Sequence, residues 1–377
     1  APAPRPPCNT PRRAAVELEV IDELASARAV DGSGEAPRRA NVPQLAACSQ
    51  RYRTLAVVGS GCFGSVHLAE DGDGRRVAIK CVLPDAGREM REVELLGQIT
   101  HPCIVGLVDA FEAPSENGGE RVVHIVMEFL PQTLHTKIKG RPLCFGDVQV
   151  FSFQLLRSLA HLDGMAICHR DVKPENVLLD GRILKLADFG SAKVLHGGPS
   201  TSYICARWWR APELILGCSV YTTSIDWWSC GCVVAEMMLG RPLFAGKSSW
   251  GQIEEIVRAL GSHSVQQLAT QSDAEPNQRG RLAELPSCAA RGWDELLPTY
   301  AGVPEALELP ARLLVCRPSG RLPPSRALLC SLFTSLTTEN PGVLPPRLFD
   351  FTQEEVRNSD AETLLGIQRL AQSARRA

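Results

Sequence analysis

The 377-residue chain is predicted to be an α+β protein of two lobes, a small antiparallel β lobe with one main helix and then a larger, mainly α lobe. Three observations predict it. Between Tyr52 and Met127, short apolar runs are punctuated by glycine-rich turns. From Phe145 onward, apolar residues recur at i, i+3 and i+4. The length, with 44% hydrophobic residues, suffices to bury one large two-lobed core.

Residues 1 to 51 mix Pro, Arg, Ala and acidic residues without sustained periodicity and are expected to be a disordered tail, with helical character only over Ala14 to Val30. Leu55 to Val58 reads as a strand running into a glycine-rich turn. Ser65 to Ala69 reads as a second strand, and Arg76 to Val82 as a third after the turn Asp71-Gly72-Asp73-Gly74. Arg88 to Ile99 has helical spacing, and Val122 to Met127 resembles a buried strand. Helices are expected over Asp147 to Met165, Ser224 to Leu239, Trp250 to Leu260, Pro304 to Val315 and Ser325 to Phe333. The polar stretch from Ser262 to Pro286 is expected to be an irregular surface insertion. The chain thus divides into a tail (1–51), a two-lobed domain (52–333, its first lobe 52–128 and its connection and second lobe 129–333) and a C-terminal extension (334–377).

A net charge of −2 produces no field that would draw in nucleic acid or an anionic membrane, so neither is expected as a partner. Fourteen cysteines lie scattered through apolar segments without C-x-x-C spacing. They read as free thiols in a reducing compartment rather than as disulfides or zinc ligands. No apolar run approaches the length of a membrane span, and the Pro/Arg-rich start shows no signal-peptide core, so a soluble protein is expected.

The chemistry lies in ordered short motifs. Val58-Gly59-Ser60-Gly61-Cys62-Phe63-Gly64-Ser65-Val66 fits G-x-G-x-x-G-x-V, whose small residues let the backbone approach a triphosphate while Val58 and Val66 bound an adenine. A dinucleotide-binding loop uses similar glycines, but those open a helix, whereas here a second strand follows. Val77-Ala78-Ile79-Lys80 sets a lysine among apolar neighbours, where it needs a buried anionic partner; Glu92 on the predicted helix offers one. His169-Arg170-Asp171-Val172-Lys173-Pro174-Glu175-Asn176 and Asp188-Phe189-Gly190 follow. Asp171 is suited to accept a hydroxyl proton, Lys173 to contact a transferring phosphate, and Asn176 and Asp188 to hold magnesium. Ala211-Pro212-Glu213 comes next, then Asp226-Trp227-Trp228-Ser229-Cys230-Gly231, with an aspartate suited to brace the catalytic loop.

Motifs in this order and spacing resemble the protein kinases. The resemblance implies transfer of the γ-phosphate of ATP to Ser/Thr hydroxyls of proteins, with ATP and Mg2+ as cofactors and protein substrates as partners. Lys173 is of the serine/threonine rather than the tyrosine type. A pseudokinase scaffold would be expected to lose Lys80, Asp171 or Asp188, and all three are present.

From Arg53 to about Glu355 the sequence is similar to the glycogen synthase kinase-3 (shaggy-like) family of the CMGC group, as a divergent member. The marks are Asp188-Phe189-Gly190-Ser191-Ala192-Lys193, Ser202-Tyr203-Ile204-Cys205, Met127-Glu128-Phe129-Leu130-Pro131 and Leu348-Phe349-Asp350-Phe351-Thr352. That resemblance implies Met127 as gatekeeper and Glu128 and Leu130 backbone groups on adenine. It implies substrates primed by a phosphate four residues C-terminal to the target, bound by Arg91, Arg170 and Lys193. It further implies self-phosphorylation of Tyr203, an Arg321–Glu213 pair, and scaffold proteins on the second lobe. A monomer or weak dimer in the cytoplasm, with the nucleus as a second location, is expected.

Two departures leave an alternative open. Thr201 gives the Thr-x-Tyr arrangement of mitogen-activated kinases, so a phosphate on Thr201 could fill the basic pocket in place of a primed substrate. Arg207-Trp208-Trp209-Arg210 stands where the family has paired tyrosines. In residues 1–50 no Ser or Thr stands three after an Arg, so the N-terminal phosphoserine autoinhibition of animal members is not expected.

Overall fold

The computed structural model describes residues 51–61, 64–83, 88–114, 121–202, 204–271, 280–282, 284–285, 287–338 and 345–376. The expected tail up to residue 50, Ala14 to Val30 included, lies outside them. The first lobe is an antiparallel sheet of β1 (Arg53–Gly61), β2 (Gly64–Glu70), β3 (Arg76–Val82), β4 (Leu107–Pro114) and β5 (Arg121–Glu128), in the order β1-β2-β3-β5-β4. Alternation along β3 sorts its side chains by face. Val77, Ile79 and Cys81 join Tyr52, Ala69, Val122 and Val126 in a small core of their own, which leaves Ala78 and Lys80 for the opposite face. β4 was not foreseen. It is a bulged strand paired with β5 alone, its Val108 is exposed, and its polar residues break up the apolar pattern. Helix α1 (Arg88–Gln98) buries Glu92, Leu95 and Leu96, an i, i+3, i+4 face.

The second lobe is built on α2 (Phe145–Gly164) and α3 (Ser224–Leu239), buried over most of their lengths. Strand β6 (Gln132–Thr133) precedes α2, and between the two helices run β7 (Ile167–Cys168), β8 (Val177–Asp180), β9 (Ile183–Leu186) and β10 (Lys193–Val194). These pair as β6-β8-β9 and β10-β7. The catalytic-loop motif thus spans β7 to β8, and Asp188 leaves the end of β9. Further on lie α4 (Ser249–Leu260), α5 (Ser262–Gln271) and α6 (Pro304–Leu313).

Helix α5 corrects the expected irregular insertion. Its Val265 and Leu268 are buried, so two apolar residues three apart anchor an otherwise polar helix. The stretch Ser325 to Phe333 is not one helix; a turn at Pro324–Ala327 and a 3₁₀ turn at Ser331–Phe333 share it. The C-terminal extension contains α7 (Gln353–Val356) and α8 (Ala361–Arg376). Helix α7 lies on α2 so closely that a Cβ on Gly164 would stand 1.8 Å from the Glu354 carbonyl oxygen. Among the described residues no helix is long and apolar enough to cross a membrane.

Candidate active site

Lys80 crosses from β3 toward α1 and the end of β9. Its Nζ donates to both Glu92 carboxylate oxygens at 2.8 Å and to Asp188 Oδ1 at 2.8 Å. Burial alone would lower the Lys80 pKa, but the charges of Asp188 and Glu92 outweigh it and hold the ammonium above its ordinary value. Glu92 is enclosed, whereas the Asp188 side chain keeps 42% of its exposure. Asp188 therefore still faces the cleft as a second, accessible anion.

That cleft lies between the lobes and, counting the part open to solvent, offers about 500 Å³ of space. Val66 and Ala78 wall it from the sheet, Met127 and Glu128 from the end of β5, and Leu178 and Ala187 from β8 and the end of β9. Val105 completes the apolar wall, and Lys80, Asn176 and Asp188 form the polar end, joined by Glu175. Apolar walls suit the faces of an aromatic base, and at the polar end the Lys80 ammonium suits a phosphate while the carboxylates beside it suit a divalent cation. The amide of Asn176 and the carboxylate of Asp188 are the hard oxygen donors that a magnesium ion prefers, so the donor set fits.

Of the glycine-loop residues, Val58 is buried in β1 and Gly59 pairs with Val66, while the backbones of Ser60 and Gly61 pair with Ser65 and Gly64. Cys62 and Phe63 lie outside the described residues. Gly64 has φ +132° and its Cα faces the Cys81 carbonyl, where a Cβ would come within 1.9 Å, so only glycine fits. Beyond β5, the Glu128 amide donates to the Gly106 carbonyl at 3.1 Å, and Leu130 is buried.

The catalytic loop is held from beneath. Asp226, buried on α3, accepts the backbone N–H groups of His169 at 2.6 Å and Arg170 at 2.9 Å. The Arg170 backbone is left-handed, with φ 67°, a conformation this brace stabilises. His169 Nε2 lies 3.0 Å from the Ala187 carbonyl, and its Nδ1 faces the Asp171 amide at 3.3 Å, which assigns the proton to Nε2. The Asp171 carboxylate meets Lys173 Nζ at 2.9 Å, Asn176 Nδ2 at 2.9 Å and the Ala206 amide at 3.2 Å. An aspartate, an ammonium and a carboxamide are thus gathered beside the polar end of the cleft.

Arg170 and Lys193 belong to one network. Arg170 Nε donates to the Ser191 carbonyl at 2.6 Å and Nη1 to the Tyr221 hydroxyl at 3.3 Å, while Lys193 Nζ donates to Ser200 Oγ at 2.7 Å. Tyr221 in turn donates to the Thr201 carbonyl at 3.0 Å. Arg91 is exposed on α1, and no contact among the described residues joins it to the other two. Tyr203 lies outside the described residues. Further along, Arg321 grips both Glu213 oxygens at 2.6 Å, and Arg210 donates twice to the carbonyl of Cys205, whose φ is 63°. Trp208 is 40% exposed with its indole N–H on the Gly246 carbonyl, and Trp209 is buried with its indole N–H on Glu236.

Sequence reasoning missed Val105, Leu178 and Ala187 in the cleft wall, together with Ser200 and Tyr221. Leu178 and Ala187 adjoin Asn176 and Asp188, which was a usable signal. Val105, Ser200 and Tyr221 carry none, because only folding brings them there.

A β lobe and an α lobe closing on Lys80, Asp171 and Asp188 define a protein kinase, and the Protein kinase domain family model matches residues 52–333. Among curated proteins, the chain is 40% identical over 331 residues to Protein kinase gsk3 of Schizosaccharomyces pombe, covering 81% of this chain and 82% of that protein. It is 39% identical over 330 residues to Glycogen synthase kinase 3 of Trypanosoma brucei brucei, covering 81% and 91%. The chain belongs to the glycogen synthase kinase 3 family, and it is a protein serine/threonine kinase.

Proposed function

We propose that this kinase phosphorylates Ser/Thr residues of proteins already carrying a phosphate four residues C-terminal to the target, and that Arg91, Arg170 and Lys193 receive that phosphate. The observation that carries the reading is the company Arg170 and Lys193 keep. Their described partners are two hydroxyls and a carbonyl, with no carboxylate, so the charge of both cations remains available to an anion.

In the transfer itself, the apolar walls hold the base of ATP, with Met127 at the back and the Glu128 and Leu130 backbones at the edge. The loop from Val58 to Val66 covers the phosphates, and Lys80, fixed by Glu92, orients them. Asn176 and Asp188 would hold magnesium, which when bound would neutralise charge on the phosphates. Asp171 takes the proton of the substrate hydroxyl, and Lys173 beside it faces the developing negative charge. The same proposal places the kinase in the cytoplasm, with the nucleus as a second location.

Matched Ser-x-x-x-Ser peptides with and without phosphate on the second serine test the reading. The primed peptide should be the faster by roughly tenfold or more, and Arg91→Glu should erase the difference. Equal rates on the two peptides would favour a Thr201-dependent, unprimed enzyme.

A further inference from the structure

Ser200 and Thr201 stand side by side in the irregular segment that follows the bend at Gly197 and Gly198, yet they are placed differently. Ser200 is half-buried. Its Oγ accepts from Lys193 and neighbours the hydroxyl of Tyr221, which Arg170 holds from the other side. Thr201 is exposed, and its carbonyl is what enters the network. The ring closes because Arg170 also binds the Ser191 carbonyl, two residues from Lys193. A guanidinium and an ammonium therefore converge on two neighbouring hydroxyls, one of them on a half-buried serine flanked by exposed residues.

We propose that Ser200 is a phosphorylation site whose phosphate is held by Lys193 and Arg170 and replaces the priming phosphate of a substrate. This rests on the reading of the pocket as an anion site. Transfer from ATP forms the Oγ–P bond, breaks the bond from the γ-phosphorus to the β,γ-bridging oxygen and releases ADP. The hydroxyl proton passes to the base of the modifying kinase. The product carries nearly two negative charges at neutral pH, its second pKa being about 6 in the free state. An ammonium that faced a neutral hydroxyl then faces a dianion on the same atom. A phosphate on Thr201 begins in solvent and would reach the same cations only if the segment reversed. The modified enzyme accepts unprimed substrates with its pocket already neutralised and repels primed ones.

The full chain with phosphoserine installed at 200 during translation, beside the unmodified chain, provides the test. Phosphorus NMR should show the second ionisation of that phosphate displaced about one unit below that of a free phosphoserine peptide, because two cations favour the dianion. Lys193→Met should return it most of the way. Titration like the free peptide would overturn the proposal, and this readout does not depend on priming. In kinase assays the KM of a Ser-x-x-x-phosphoSer peptide should rise roughly tenfold or more on the modified chain. An unchanged KM would also overturn it. If the unmodified chain fails to discriminate primed from unprimed peptide, the primed-substrate function falls, and the NMR titration judges Ser200 alone. Phosphopeptide mapping of chain isolated with phosphatases blocked should find phosphate on Ser200. Purified chain with Mg-ATP, mixed with its Asp171→Asn variant, separates modification by a second copy from modification by another kinase. A bare Ser200 in every arm would overturn the assignment as a modification site.

Discussion

Arg157 on α2 and Glu355 on α7, 198 residues apart, face each other fully enclosed, with Nε 2.7 Å from Oε1 and Nη2 2.6 Å from Oε2. The guanidinium also holds the Leu348 carbonyl at 2.6 Å and the Asp350 carbonyl at 2.9 Å, while Glu355 completes the capping box of Thr352. His101, just beyond α1, lies with its Nε2 3.4 Å from Glu355 Oε1 and stacks on His161 of α2. The C-terminal extension is thereby fastened to both α2 and the segment that leaves α1. Arg157→Met would leave a buried carboxylate without its guanidinium, and urea unfolding should show a loss of about 3–5 kcal/mol. A loss below about 1 kcal/mol would mean that water reaches Glu355.

The same pair sets an acid limit. Burial alone would raise the Glu355 pKa, but the contacts of His101 and Arg157 more than offset it and hold the carboxyl at about 2. Because this lies below the unfolded value of about 4.3, the contribution is complete above that pH and lost as pH falls to about 2, a change on the order of 3 kcal/mol. Glu355→Gln should remove this limb from the acid-unfolding curve. Superimposable curves for the two proteins would contradict it.

Gly164 tests how tightly the extension is docked. A methyl there meets the Glu354 backbone, which has no side-chain freedom to yield. Gly164→Ala should cost about 1–3 kcal/mol despite the higher helix propensity of alanine. Faster hydrogen exchange should appear in residues 345–357 rather than in the first lobe. Unchanged exchange there would show that α2 shifts instead.

Glu236 carries the opposite pH signature. Burial, with the nearby charge of Glu175, pushes its carboxyl up to about 8, against the indole N–H of Trp209 at 3.0 Å. A carboxyl with a raised pKa stabilises fully below its unfolded value and loses that contribution as pH climbs through 8. Glu236→Gln keeps an acceptor for Trp209 and should flatten the decline in stability between about pH 5 and 8, with a gain on the order of a few kcal/mol at the alkaline end. Parallel stability–pH profiles would show that Glu236 is charged throughout.

In the cleft, two substitutions separate positioning from proton transfer. Asp171→Asn should lower kcat by roughly 10²–10⁴ while nucleotide displacement changes little. Lys80→Met removes the cation that Glu92 and Asp188 share, and should lower kcat/KM by roughly 10² or more together with exchange protection in α1. Intact α1 protection in that variant would assign the loss to phosphate contact alone.

Much of this molecule is legible in local order. The short apolar runs of β2 and β3 between glycine-rich turns, the helical spacing of α1 and α3, and the catalytic motifs are short-range patterns; the loop brace from Asp226 appears where the motifs implied, and the Arg321–Glu213 pair where the family resemblance implied. What depends on residues far apart in the chain is not legible that way. Edge strand β4 needs β5 to be a strand at all, and α5 needs the core to cover Val265 and Leu268. The extension is buried because α2 offers Gly164 and Arg157. Neighbours Ser200 and Thr201 look equivalent as sequence. The fold turns the hydroxyl of one toward Lys193 and leaves the other in water, since the direction of a side chain in an irregular segment is set by what packs against it.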